Sequence, residues 1–191
     1  MVYQGENGSE IRDPLDDEPS TYHYAVRRSD GKLVSSIRAV NGNQTPLEME
    51  RFGWYKFEGE VRENGFAEWC RLICDKEARG TTAVPLLYLQ SARHQQDLGV
   101  DNLVFMVDTK AKKLLDYYKR WTIVEKVSDP VPCNEFEKGR MSYVMNMPMG
   151  KKGSLQRAKF YGAVEVPCIA ACAVMPKCNK AKKAGGDMKL V

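Results

Sequence analysis

The segment 67–99 constrains the fold of this chain more than any other part of the sequence. Its residue pattern predicts a buried strand over 68–74, then a turn at Arg79 and Gly80, then a helix that ends at Gly99. A strand that passes through a short turn into a helix leaves free backbone amides at the helix N-terminus. Such amides favour anions, and phosphate in particular.

The elements predicted on either side of this segment complete a mixed sheet with helices on both faces. Two runs rich in β-forming residues flank an Asp-Gly turn at 30–31 and predict a hairpin. An apolar stripe over 111–121 predicts an amphipathic helix. The aromatic-rich stretch 46–64 is expected to cover a core or a pocket. Three more strands are predicted, at 102–107, 123–127 and 142–147.

The length and charge of the chain indicate one domain of ordinary globular composition. The 191 residues divide into a predicted domain over 1–174 and a basic tail over 175–191, which is expected to be mobile. A net charge of +4 is too small to indicate nucleic acid binding. Basic residues collect after position 150, either as a solvated face or as a docking patch for an acidic partner. With no signal peptide or apolar membrane span, we expect a cytoplasmic protein without a stable membrane anchor.

The cysteine pattern does not indicate a metal site. The chain has six cysteines and two histidines, but no C-x-x-C pair and no convergent ligand spacing. We therefore expect buried, reduced thiols, no metal and no tightly bound cofactor.

Five charged residues resemble a pattern known from one enzyme superfamily. Asp13 and Asp16 form a paired-aspartate loop before the hairpin, Arg38 lies at the end of its second strand, and Glu68 and Arg71 form a Glu-x-x-Arg strand. In this order, over about residues 10–150, the chain resembles the autoinducer (acyl-homoserine lactone) synthases and the long-chain N-acyl amino acid synthases of the N-acyltyrosine type.

The resemblance implies an α/β (α+β) fold of the GNAT-like acyltransferase superfamily, with a mixed, mostly antiparallel central sheet and helices on both faces. It also implies a bacterial acyltransferase. Such a fold opens with a helix, for which the twelve residues ahead of Asp13 leave little room. The stretch 153–178 does not match the autoinducer synthases, which favours an ordinary amino acid as the acceptor.

The phosphate-binding turn departs from the pattern of related acetyltransferases. Close approach of the backbone to a diphosphate requires small residues, but Thr82 and Val84 stand at two of the relevant positions. The turn could still hold one phosphate through backbone amides, Arg79, Gly80 and the hydroxyls of Thr81 and Thr82. This favours a phosphopantetheine thioester on an acidic acyl-carrier protein as donor, since that group carries a single phosphodiester.

Three residues are candidates for the chemical step of acyl transfer. Glu68 could act as the base that deprotonates the acceptor amine, or be a strand carboxylate paired with an arginine. A strand bulge between residues 67 and 74 would turn Arg71 to the same side as Glu68 and expose an amide for the oxyanion, whereas on a regular strand Arg71 is structural. Tyr118 could protonate the leaving thiolate, or belong to the core.

The remaining candidates would bind the substrates. Arg38 could bind the acceptor carboxylate, or form an ion pair with Asp13 or Asp16, which could instead order a loop over the acceptor. Apolar side chains could line an acyl channel or pack as plain core. They are Phe52, Trp54, Phe57, Leu103, Phe105 and Met145.

The predicted function is transfer of a long acyl group from acyl-carrier protein to the α-amine of an amino acid, with tyrosine favoured by the resemblance. Two alternatives stay open. One is an acyl-CoA-dependent N-acetyltransferase of a small amine or a protein. The other is a non-catalytic acyl-binding module, which the altered phosphate turn would fit.

Overall fold

A computed structural model describes residues 13–120, 124–133, 139–150 and 189–190. Their strands form one eight-stranded sheet in the order β5-β7-β4-β3-β2-β1-β8, with β6 paired to β7. The strand bounds are β1 Thr21–Arg27, β2 Leu33–Asn41, β3 Phe66–Cys74, β4 Asn102–Asp108, β5 Glu125–Lys126, β6 Val131–Pro132, β7 Met141–Pro148 and β8 Lys189–Leu190. The helix bounds are α1 Glu48–Arg51, α2 Glu60–Glu63, α3 Ala83–Asp97 and α4 Lys112–Arg120.

One strand pair in the middle of the sheet differs from all the other described pairs. Strands β3 and β4 are parallel, whereas the other pairs are antiparallel. Their pairing begins at Phe66 and stops at Trp69, which lies opposite Phe105. Both strands continue past this point without pairing to each other. The sheet therefore opens into a gap between the second half of β3 and the end of β4.

The two faces of the sheet carry separate apolar cores. Because side chains alternate along a strand, Ala67 and Trp69 face the helices α3 and α4, whereas Phe66 and Glu68 face the opposite side. The first core contains residues from α3 and α4, including Leu87 and Tyr118. The second core is closed by α1 and by a short 3-10 turn, Pro14–Asp17.

The long helix α3 lies where the strand–turn–helix pattern predicted it. Pro85 is its third residue, in the first turn, where the missing amide hydrogen costs no internal hydrogen bond. Gly99 follows the helix with φ of +81°, a left-handed conformation that glycine adopts without a Cβ clash. No helix in the described ranges is long and apolar enough to cross a membrane.

The predicted mixed, mostly antiparallel sheet and its hairpin are confirmed, but several elements differ in length. The covering stretch 46–64 holds two separate one-turn helices, and the strand predicted at 123–127 is reduced to Glu125–Lys126. Strand β8 pairs with β1 at the end of the segment predicted to be a mobile tail. The basic residues at 151–183 lie outside the described residues.

Candidate active site

The predicted bulge is present in strand β3. Ser36 pairs with Ile73 and Arg38 pairs with Cys70, so Ile37 alone lies opposite two residues of β3. Arg71, one of these two, has φ of +52°, and no other described residue except glycine has a positive φ. An extra residue in one strand rotates the side chains beyond it. The bulge therefore brings Arg71 to the Glu68 side of the sheet, whereas on a regular strand the Glu-x-x-Arg spacing would place the two residues on opposite faces.

Two arginines and two carboxylates from four different elements form a closed charge ring on this face. Arg38 donates to Asp13 at 2.6 Å and to Glu48. Arg71 also contacts both carboxylates, with Nη2 at 2.5 Å from Asp13 and Nε at 3.5 Å from Glu48. Each arginine of the charge ring thus bridges the same two carboxylates. The ring joins the first described residue to β2, α1 and the bulge in β3.

The paired aspartates lie at one side of this ring. Asp13 caps the 3-10 turn by accepting a hydrogen bond from the Leu15 amide at 3.0 Å. Asp16 contacts Arg38 at 2.8 Å and is more exposed. Burial alone would raise the pKa of Asp13, but hydrogen bonds from Arg38 and Leu15 and the charge of Arg71 hold it below its usual value. Asp13 is therefore an ionised, structural member of the ring.

Arg38 forms ion pairs within the protein, which was the alternative to binding the substrate. Its side chain is 1% exposed, and its guanidinium contacts Asp13, Asp16 and Glu48. The Nε atom of Arg38 lies 3.2 Å from the Cys70 thiol. These contacts match the ion-pair alternative, and binding of the acceptor carboxylate by Arg38 stays a prediction.

Glu68 is the buried carboxyl group next to the charge ring. It is 2% exposed, and its Oε2 accepts a hydrogen bond from the Met49 amide at 3.3 Å. Burial raises the pKa of Glu68, and the negative charge of Glu48 raises it further. The Met49 amide and the charge of Arg38 oppose this, and the resulting pKa is about 8. A carboxyl group of this kind can exchange a proton near neutral pH.

Glu68 and Arg71 line a cavity of about 110 Å³ at the gap between β3 and β4. This volume is below the roughly 300 Å³ at which drug-sized pockets begin, so it suits the reacting groups of a substrate more than a long chain. The other lining residues come from α1, β3, β4, β7 and the segments next to them: Glu48, Trp54, Trp69, Cys70, Met106, Cys133, Arg140 and Ser142.

Tyr118 lies on the other side of the sheet from Glu68. It is 4% exposed, its hydroxyl lies 2.5 Å from that of Tyr88, and its ring packs 4.7 Å from Phe105. Burial raises the pKa of Tyr118 well above its usual value. Because Tyr118 does not line the cavity, its position matches the core alternative, and we assign it no step in the reaction.

The turn that was predicted to bind phosphate lies between β3 and α3. Gly80 has φ of +78°, and a Cβ there would meet no atom within 4 Å. The Thr81 hydroxyl donates to the Ala78 carbonyl at 2.6 Å and accepts from the Ala83 amide at 3.3 Å. This hydroxyl thus makes hydrogen bonds within the chain, and its role in holding a phosphate stays a prediction. Arg79 is exposed, and Thr82 makes no side-chain cap to α3.

The predicted acyl-channel residues divide between the cavity and the two cores. Trp54 lines the cavity, and the partly exposed Phe52 stacks on it at 4.7 Å. The others are at most 7% exposed within the cores and do not line this cavity: Phe57, Leu103, Phe105 and Met145. Their placement corresponds to plain core packing.

Three functional candidates escaped the prediction from sequence, namely Glu48, Cys133 and Arg140. Glu48 lies in a helix of four residues, too short to show an amphipathic pattern. Cys133 and Arg140 flank residues outside the described ranges, and the cavity brings them near Glu68 from more than sixty positions away in sequence. The only sequence signal pointing to this cavity is the Glu-x-x-Arg motif of Glu68 and Arg71, and it does not identify these three residues.

Solved structures with a similar fold are acyltransferases and related synthases. TofI, in a ternary complex with an inhibitor and MTA, has 16% identity and a TM-score of 0.61, and covers 85% of this chain and 78% of its own. The CoA-dependent acyl-homoserine lactone synthase BjaI, with SAM and isopentyl-CoA, has 12% identity and a TM-score of 0.60 over 85% and 72%. FeeM, an N-acyl amino acid synthase from uncultured soil microbes, has 12% identity and a TM-score of 0.53 over 73% and 79%.

These likenesses show that the chain has the GNAT-like fold. Residues 2–146 match the family described as N-acyl amino acid synthase FeeM. The chain belongs to this family and is an N-acyltransferase. No curated protein sequence matches it.

Proposed function

We propose that this protein transfers a long-chain acyl group from the phosphopantetheine thioester of an acyl-carrier protein to the α-amine of an amino acid, with tyrosine as the favoured acceptor. The main structural support is the buried carboxyl group of Glu68. It lies at the gap between β3 and β4, next to the bulge that brings Arg71 to the same face. Membership of the N-acyl amino acid synthase family supports the reaction class.

The proposed reaction forms one C–N bond and breaks one C–S bond. The amine nitrogen attacks the thioester carbonyl carbon, and Glu68 takes a proton from the amine, directly or through one water. The carbonyl oxygen becomes an oxyanion, which backbone amides stabilise where β3 and β4 no longer pair. The C–S bond then breaks, and the phosphopantetheine sulfur leaves as a thiolate that is protonated to the thiol. The products are an N-acyl amino acid and the free carrier thiol.

The state of Glu68 sets the expected pH dependence of the reaction. A base must be ionised, and a pKa of about 8 leaves Glu68 mostly protonated below that pH. Activity should therefore rise with pH through this region. Among the described residues, the charged or titratable groups that act on Glu68 or share its cavity are Glu48, Arg38, Cys70, Arg71, Cys133 and Arg140.

A direct experiment tests the proposed function. Purified protein is incubated with palmitoyl acyl-carrier protein and a mixture of amino acids, and the products are identified by mass spectrometry. An N-palmitoyl amino acid supports the proposal. Equal rates with palmitoyl-CoA would contradict the carrier-protein donor, and no acylated product with either donor would contradict acyl transfer to an amino acid.

Replacing Glu48 with glutamine should shift the pH dependence of the reaction. The negative charge of Glu48 raises the pKa of Glu68, so its removal lowers that pKa. The acid limb of kcat/KM should move to lower pH, as measured from pH 5.5 to 9.5. Glu50 lies on the same helix but pairs with Arg62 outside the cavity, so E50Q is the matched control and should keep the wild-type limb. An unmoved limb in E48Q would rule out the influence of Glu48 on Glu68.

Replacing Arg79 with alanine should weaken use of the carrier-bound donor. Arg79 is exposed beside the first residues of α3, and its loss removes one cation near the expected phosphodiester. We expect KM for palmitoyl acyl-carrier protein to rise roughly fivefold, the effect of one exposed charge pair. The neighbouring exposed Lys76 provides the control K76A, expected to keep the wild-type KM. The same KM in R79A and wild type would exclude Arg79 from donor binding.

A further inference from the structure

Among the described residues, Arg71 and Arg140 are the arginines that line the cavity, and Arg140 is separate from the charge ring. It immediately precedes β7, and its carbonyl accepts a hydrogen bond from the Cys133 amide at 2.8 Å. The next residue, Met141, accepts one from the Thr109 amide at 3.0 Å. The backbone at Arg140 is thus fixed on both sides, at the end of the sheet where β3 and β4 no longer pair.

The two arginines that line the cavity, Arg71 and Arg140, and the neighbouring ring arginine Arg38 differ in how many described carboxylates they contact. Arg38 is 1% exposed and contacts three carboxylates, and Arg71 is 19% exposed and contacts two. Arg140 is 29% exposed, and within the described ranges it contacts one carboxylate, Asp108, through Nε at 3.4 Å. A guanidinium carries five N–H donors, and among the described residues Asp108 is the only carboxylate that Arg140 contacts, which leaves donors of Arg140 for a ligand. Arg140 is therefore the cavity arginine best able to bind an incoming anion.

Arg140 and Glu68 act on the same small space. Both line the cavity, together with Ser142, the first inward residue of β7. The Cys133 thiol lines the same cavity, and burial raises its pKa, while a hydrogen bond with Ser142 and the charge of Arg140 oppose the rise. An amino acid carries its amine and its carboxylate on the same carbon atom. A head group of this size could contact both ends of a 110 Å³ cavity.

We propose that Arg140, assisted by the Ser142 hydroxyl, binds the carboxylate of the acceptor and thereby directs its amine toward Glu68. This inference rests on the proposed acyl transfer and names the feature of the acceptor that the site selects. A planar guanidinium can hold a carboxylate through two parallel hydrogen bonds, which fixes orientation as well as position. The site therefore favours molecules with a free α-carboxylate over simple amines of the same side chain.

The test compares amino acids with the amines that lack only the carboxylate. Three pairs are used with palmitoyl acyl-carrier protein: tyrosine and tyramine, phenylalanine and phenethylamine, leucine and isoamylamine. Wild-type protein should show a higher kcat/KM for the amino acid of at least one pair. The measured quantity is the ratio of kcat/KM for the amino acid to kcat/KM for its matching amine. In R140Q this ratio should fall roughly 10- to 100-fold, the effect of a lost hydrogen-bonded charge, while kcat/KM for the amine changes little. R140K keeps the positive charge but cannot form two parallel hydrogen bonds, so its ratio should lie between those of wild type and R140Q.

A control and a fold measurement separate the outcomes. Arg51 is 32% exposed and pairs with Glu18 away from the cavity, so R51Q should keep the wild-type ratio. Circular dichroism checks that R140Q is folded; if it is not, the ratio in R140K decides. An unchanged ratio in the folded variant overturns the role of Arg140 while leaving acyl transfer intact. Failure of the wild-type protein to acylate any of the six acceptors or any amino acid of the mixture instead overturns the proposed function.

Discussion

The E68Q variant should lose acyl transfer almost completely while keeping its fold. Glutamine has nearly the shape of glutamate and can still accept the Met49 hydrogen bond, but it cannot take a proton from the amine. Loss of a general base lowers kcat/KM by about 10²- to 10⁴-fold. Steady-state kinetics with palmitoyl acyl-carrier protein measures the loss. E63Q, which changes an exposed carboxylate of α2, is the control expected to match wild type.

The same variant should be more stable than wild type, and the difference should depend on pH. The folded-state pKa of Glu68 is about 8, above its ordinary value of 4.5. Between these values the folded protein binds a proton that the unfolded chain releases, so rising pH removes stability from wild type but not from E68Q. The difference in free energy of unfolding should grow by up to about 1.4 kcal/mol per pH unit over this range. Denaturant unfolding at pH 5, 6.5 and 8 measures it.

Two results would count against Glu68 as the base. Wild-type turnover in E68Q would exclude it directly. A difference in unfolding free energy that stays constant from pH 5 to pH 8 would show that the carboxyl is ionised throughout, as expected for an ion-paired strand residue. The combination of lost activity with gained stability is what distinguishes a functional buried carboxyl from a structural one.

The R38M variant should be strongly destabilised. The substitution removes the guanidinium of Arg38, which is 1% exposed. Asp13 and Glu48, whose side chains are at most 9% exposed, then keep Arg71 as their shared cation in the ring. Removing one partner from a buried ion-pair cluster costs about 3–5 kcal/mol because the remaining charges are uncompensated. Denaturant unfolding at pH 7 measures the loss. A loss below about 1 kcal/mol would show that the charge ring is not a stabilising unit.

The pH dependence of this loss provides a second check. Arg38 holds the pKa of Asp13 below its ordinary value, so the stability that Asp13 contributes is present above pH 3.8 and disappears as the pH falls through the lowered pKa. The difference between wild type and R38M should therefore shrink in acid. R51Q, which removes an exposed arginine from α1, should change the free energy of unfolding by less than about 0.5 kcal/mol.

Local sequence patterns predicted the parts of the fold that depend on neighbouring residues. The hairpin follows from the Asp-Gly turn, and the limits of α3 follow from Pro85 and Gly99. Strands β6 and β8 were missed because each has two residues and exists only through its pairing with a distant strand. A pattern that depends on a remote partner leaves no periodic signal in the chain.

The site was predictable in its residue types but less so in its contacts. The positions of Glu68, Arg71 and the paired aspartates followed from the resemblance, and the bulge was the condition that placed Arg71 beside Glu68. The contacts of Arg38 could not be derived, because the sequence shows an arginine but not the number of carboxylates around it. Glu48, the one that was missing from the prediction, completes the ring from a helix of four residues.

The charge ring has a consequence for any redesign of this site. Asp13 and Glu48 are each shared by Arg38 and Arg71, so no pair within the ring can be removed without altering the other three contacts. The energetic effects of substitutions in such a set are not additive. A second change after the first removes interactions that are already weakened, and a compensating change must restore both neighbours at once. The four positions must therefore be redesigned together. A change of substrate specificity is easier to engineer at cavity residues outside the ring.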